Sequence, residues 1–121
     1  MTPLETALRA AAAGDLAGEA AAMLLAGAGC FTRRADFTGR FTGTGTGTSD
    51  GTPLAWTDWD AAVTALDAGQ LPASSGEKAV LRLAASLAHG IPVSLRDTVT
   101  SLDNRNLGLV TTAIRHAAGH R

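Results

Sequence analysis

Apolar residues recur along this chain at helical spacing, and most such runs begin at a capping residue and end at a glycine. Thr2 can cap, Pro3 suits the first helical position, and Glu5 stands three residues after Thr2 to close a capping box. Residues 4–13 therefore read as a helix stopped by Gly14. Asp15 can cap a second helix over about 16–27, with Leu16, Ala20, Met23, Leu24 and Gly27 along one side and Gly29 beyond its end. Joined at Gly14 and Asp15, the two predict an antiparallel, Ala-rich helical hairpin. Its walls are methyl groups, which bury little area. The hairpin needs cover, from its own C-terminal half or from a second copy of the chain.

The second half repeats the logic. Asp58 caps a helix over about 59–68, with Trp59, Ala62, Val63 and Leu66 as its apolar stripe and Gly69 as its stop. Ser74 with Glu77 opens the next helix, whose core face is Val80, Leu83, Ala84 and Leu87, with Leu81 flanking. Gly90 closes it and Pro92 forbids continuation. Ser94 starts a short helix with Leu95, Val99 and Leu102 inward. Asp103 caps the last, in which Leu107, Val110, Ile114 and Ala117 recur until Gly119. A faint echo, Val63-Thr-Ala-Leu-Asp67 against Val99-Thr-Ser-Leu-Asp103, hints at two short-long helical pairs.

Residues 30–57 are the least regular. Asp36 can cap a turn through Arg40 that brings Phe37 and Phe41 together at i,i+4. Thr42-Gly-Thr-Gly-Thr-Gly-Thr48 has the period of a strand, but glycine at every second position weakens one. Residues 42–53 are expected to be a flexible loop, with an edge hairpin as the alternative. The expected architecture is a single all-α domain, a small helical bundle. It comprises an N-terminal hairpin (1–29), a Phe-containing connector with a Gly/Thr-rich loop (30–57) and a C-terminal four-helix cluster (58–121).

Composition refines this picture. The 121 residues suffice for one domain of the usual size, about 100–150 residues, with a core that needs no staple. With 25 Ala against three Phe, two Trp and no Tyr, that core is closely packed Ala, Leu and Val. Ten basic and eleven acidic residues, evenly divided between the halves, argue against a protein built to neutralise phosphates. The single Cys30 excludes an internal disulfide and suits a reducing compartment. Acidic residues interrupt the first apolar stretch, as no secretory leader would. The longest uncharged apolar run, 20–31, has 12 residues where a membrane span needs roughly 20. A cytoplasmic protein without membrane contact is expected.

Few constellations suggest chemistry. Ser75-x-x-Lys78 matches the nucleophile motif of penicillin-recognising enzymes, but the further motifs of that chemistry are missing and both residues suit a helix start. His116 and His120 have metal-ligand spacing interrupted by Gly119, and His89 falls in a last helical turn. Asp58 and Asp60 flank Trp59 in a first turn, where negative charge is favourable anyway. The Gly-Thr repeat lacks the lysine of a phosphate loop, and Cys30 follows a helix end rather than opening one. Arg33, Arg34 and Arg40, beside the three Phe, form the one basic-aromatic cluster. Trp59 fits a core stripe, whereas Trp56 lies outside it, as a staple for the connector or as an exposed anchor.

Residues 59–120 resemble short uncharacterised all-helical proteins of high-GC actinobacteria. The shared features are Leu71-Pro72-x-Ser74-Ser75-Gly76-Glu77, Leu81-Arg-Leu-Ala-Ala-Ser-Leu-Ala88, Ile91-Pro-Val-Ser-Leu95 and Leu102-Asp103-x-x-Asn106. These are caps and core positions, so the resemblance implies a fold and no activity. The function expected from the residues is a non-enzymatic protein-interaction module, an adaptor or regulator without metal or cofactor. It would use Phe37, Phe41 and Trp56 toward a protein partner or a second copy. One alternative is a nucleic-acid-associated regulator using Arg33, Arg34 and Arg40. The other is a small-ligand binder or enzyme with an inter-helix pocket lined by Trp59 or by Ser74 and Ser75.

Overall fold

The computed structural model describes residues 2–120. In chain order these form α1 (Pro3–Ala12), α2 (Leu16–Ala28), α3 (Ala35–Phe41), β1 (Thr42–Thr46), β2 (Pro53–Thr57), α4 (Trp59–Asp67), α5 (Ser75–His89), α6 (Leu95–Val99) and α7 (Asn104–Ala117). Local chemistry sets most of these boundaries. Thr2 Oγ1 accepts from the Glu5 N–H at 3.2 Å while the Glu5 carboxylate accepts from the Thr2 N–H at 2.8 Å. Ser74 and Glu77 repeat this reciprocal box at the start of α5, with the same two distances. Asp58, Ser94 and Asp103 each accept a backbone N–H of the first turn that follows. Gly29 and Gly90 end α2 and α5 in the left-handed region, at φ +73° and +67°. No helix among the described residues is long and apolar enough to cross a membrane.

The core is organised around α2. Ala20, Ala21, Leu24 and Leu25 are completely buried, and the helix packs against α5, α7 and α1. A helix that is apolar on all sides belongs in an interior rather than on a surface. Its alanines let three neighbours approach closely, and one continuous core results, reaching from Ala7 to Ala113. The cover that the Ala-rich hairpin requires is thus supplied within the chain. The helices of the expected N-terminal hairpin and those of the C-terminal half share one core centred on α2.

Two expected stripes are turned. On α7, Val110 and Ala113 are buried at 2% and 1% exposure, while Leu107 and Ile114 stand 41% and 47% exposed. The reason is the partner. Close packing against α2 selects small side chains over large ones, and at Gly27 a β-carbon would sit only 3.0 Å from Leu109 Cδ2. On α6, Thr98 is buried and Leu95 and Val99 are exposed. The Thr98 hydroxyl donates to the Ser94 carbonyl at 2.8 Å, which removes the cost of burying it. The echo between Val63 and Val99 ends here too, since Val63 is buried and Val99 is not.

The largest departure from an all-α domain is the β-hairpin. β1 and β2 pair antiparallel, with Thr42 opposite Thr57, Gly43 opposite Trp56 and Thr46 opposite Pro53. The alternating glycines make room for Trp56: a β-carbon on Gly43 would overlap the indole, and one on Gly45 would touch it at 3.4 Å. Aromatic cover of strand glycines compensates for the side chains they lack. The turn is ordered by Gly47 N–H donating to the Thr52 carbonyl at 2.8 Å and by the Asp50 carboxylate accepting from the Thr52 N–H at 2.9 Å. Residues 42–53 are therefore largely a hairpin rather than a flexible loop.

Candidate functional site

A groove of about 180 Å³ opens where α1, α2, β2 and the adjoining ends of α4 and α5 meet. Leu8, Ala12, Ala22, Leu25, Ala55 and Ala88 supply apolar walls. The alanines of α1 and α2 leave this space, while at Gly18 the missing β-carbon makes room for the Asp15 carboxylate, whose Oδ2 would stand 2.6 Å from it. Trp56 and Trp59 also line it, and Asp15, Thr57 and His89 are its polar residues. A cavity of about 150 Å³ holds a benzene, whereas drug-sized molecules occupy about 300–1,000 Å³. This groove therefore matches one long side chain rather than a nucleotide or flavin.

Its polar groups are unevenly satisfied. Thr57 is only 7% exposed, yet its hydroxyl makes no hydrogen bond. It is one of two such side-chain groups among the described residues, the other being Asn106 Oδ1. A buried hydroxyl left unpaired costs about 1–3 kcal/mol. Asp15 precedes α2 at the capping position, but unlike the aspartates before α4 and α7 its carboxylate makes no capping bond. The Gly14 N–H is instead taken at 2.8 Å by the Glu19 carboxylate, which also meets His116 Nε2 at 2.7 Å. The Gly14 N–H first, and then His116, hold the Glu19 carboxyl below its ordinary value. His89 Nδ1 lies 3.7 Å from an Asp60 oxygen at the edge of the groove.

The residues singled out in the sequence scatter. Phe37 and Phe41 are 0% and 4% exposed, stacked in series with Phe31 at centroid separations of 5.2 and 5.4 Å. They are core residues, and the expectation that they form a contact surface is corrected. Helical i,i+4 spacing brought them onto one face, but that face turns inward. Trp56 is 53% exposed, with one side of its ring covered by Gly43 and Gly45, so it is both staple and exposed aromatic.

The arginines do not share one surface. Arg34 grips Asp36 through two bonds of 2.9 and 2.6 Å, donates to the Pro72 carbonyl at 2.6 Å and lies 5.6 Å from the Phe31 ring centroid. Arg40 stands 4.7 Å from the Phe41 centroid and reaches the Gln70 carbonyl at 3.4 Å. Arg33 turns to the opposite side, beside Gly29 and toward Glu5.

The other motifs resolve into local structure. Ser75 and Lys78 line a shallow cleft with Arg82, Asp97 and Ser101, and no hydrogen bond joins the serine to the lysine. Asp58 caps α4, and Asp67 pairs with Arg82 at 2.6 Å. His120 lies beyond the end of α7, whereas His116 reaches Glu19 from its last turn. Burial, and then the nearby Glu77 charge, push the Cys30 thiol up, which disfavours the reactive thiolate. Among the described residues no three His, Cys, Asp or Glu side chains are placed to hold a metal.

Asp15 and Thr57 were missed as site residues. In the sequence one reads as a helix cap and the other as the end of a connector. The available signal was the concentration of Ala and Gly at 11–22, which marks where side chains leave space. No protein-family model, curated protein or solved structure matches this chain.

Proposed function

We propose that this protein is a non-catalytic interaction module that receives one long side chain of a protein partner in the groove between α1, α2 and β2. The observation that carries the reading is the groove itself, apolar-walled and about 180 Å³, with the half-exposed indole of Trp56 at its side. Partly exposed tryptophan beside a small pocket is the usual composition of an interaction hot spot, in which one anchor fills the pocket and an aromatic neighbour excludes water. Catalysis would call for a nucleophile held by a base. Thr57, the one hydroxyl in the groove, has no such partner.

The test is selection of random peptides displayed on phage against the intact protein. The selected peptides should bind the native chain and lose binding to Ala12→Leu, which fills the groove from the end of α1. Ala88→Leu, which fills it from α5, serves as an independent second variant should the first unfold. Peptides that bind native and groove-filled proteins equally, or a selection that enriches none, overturn the proposal.

A further inference from the structure

We infer that the side chain the groove receives is that of lysine, a primary alkylammonium. This rests on the reading above that the groove takes a partner's side chain. Three independent features specify the chemistry. The one formal charge among the lining residues is Asp15, a carboxylate with neither hydrogen bond nor ion pair, and no Lys or Arg lines the groove. Asp60, exposed and outside the lining, stands 3.7 Å from His89 and adds a second negative group nearby. Charge complementarity therefore favours a cation.

Thr57 supplies the second feature. Its hydroxyl is buried without a partner in the wall of the groove, and a lysine ammonium, with three donors and no acceptor, can pair with an oxygen of this kind or with a carboxylate. The third is the wall. Alanine and leucine methyls suit a four-carbon stem, and the tryptophans that line the groove belong to the side-chain type whose ring faces attract ammonium groups. A ligand of this kind uses the unpaired hydroxyl, the unpaired carboxylate and the apolar walls together. An aliphatic side chain would leave the buried hydroxyl unmatched and gain nothing from the exposed carboxylate.

The experiment titrates the full chain at pH 7.5 with Nα-acetyl-lysine amide and, separately, with Nα-acetyl-norleucine amide, which has the same stem without the charge. Backbone amide shifts in proton–nitrogen correlation spectra are the readout. The lysine probe is expected to shift Ala12, Asp15, Gly18 and Thr57 saturably at millimolar concentration. Norleucine should bind about fivefold more weakly, the scale of one exposed ion pair. Asp15→Asn should reduce the lysine probe to the norleucine level while leaving the rest of the spectrum unchanged. Thr57→Val is a second variant, expected to weaken lysine binding without loss of stability because it removes an unpaired hydroxyl. Norleucine binding as tightly as lysine, or lysine binding indifferent to Asp15→Asn, overturns the lysine inference and leaves the groove reading intact. If neither probe shifts the groove residues, both fall.

Discussion

Glu5 offers the sharpest test of how the N-terminal helix is held. The residue is 2% exposed, accepts the Thr2 N–H at 2.8 Å and accepts the Thr32 hydroxyl at 2.8 Å, tying the start of α1 to the segment that follows α2. Glu5→Ala removes both bonds. The Thr32 hydroxyl then keeps only a long contact of 3.4 Å to the Gly29 carbonyl. Bonds to an ionised acceptor contribute about 1.5–3 kcal/mol each, and losing the carboxylate also ends the cost of burying it, so the net destabilisation is about 2–4 kcal/mol. For a domain of this size that corresponds to a fall in melting temperature of about 10 °C.

A pH dependence accompanies this loss. Burial alone would raise the Glu5 carboxyl, but the Thr2 backbone, the Thr32 and Thr2 hydroxyls and the Arg33 charge together hold it below the ordinary glutamate value. A depressed folded-state value means that the stabilisation is fully present above the unfolded value, about pH 4.3, and is lost as pH falls through the folded one. Glu5→Gln keeps the shape without the charge. The stability gap between native protein and Glu5→Gln should be full at neutral pH, narrow from about pH 5 downward and close in stronger acid. Urea unfolding followed by circular dichroism across that range measures it. A loss below about 0.5 kcal/mol for Glu5→Ala, the noise level of surface substitutions, refutes the reasoning. So does a Glu5→Gln gap that does not change with pH.

Two further substitutions test the hairpin and the orientation of α7. Gly43→Val places a branched side chain where the Trp56 indole lies. Despite valine's strand preference it should destabilise by about 1–3 kcal/mol and shift tryptophan emission to the red. A more stable variant with unchanged emission contradicts the packing of Trp56 on β1. Val110→Ala should cost about 1–3 kcal/mol and Ile114→Ala less than about 0.5 in chemical denaturation, the reverse of what side-chain size alone suggests. Equal or inverted costs restore the stripe anticipated from the sequence.

Most features fixed by a few adjacent residues were legible from the chain alone, although Asp15 makes no capping bond and Asp36 lies inside α3 rather than capping it. Thr2 with Glu5, Ser74 with Glu77, and Asp58, Ser94 and Asp103 cap where their side chains can reach the next turn, and the glycines at 29 and 90 end helices wherever the helices sit. What failed to show was whatever depends on a neighbour distant in sequence. The glycines of β1 weaken a strand until Trp56 covers them, and that cover requires the chain to fold back. Ile114 outranks Ala113 by hydrophobicity, but only the smaller residue fits against α2. The groove belongs to the same class, since its walls come from five elements and its volume is what their small residues leave empty. Capping and termination act over one helical turn and are written locally. Which face turns inward, and where space remains, are settled by the shapes of surfaces that meet only when the chain is folded.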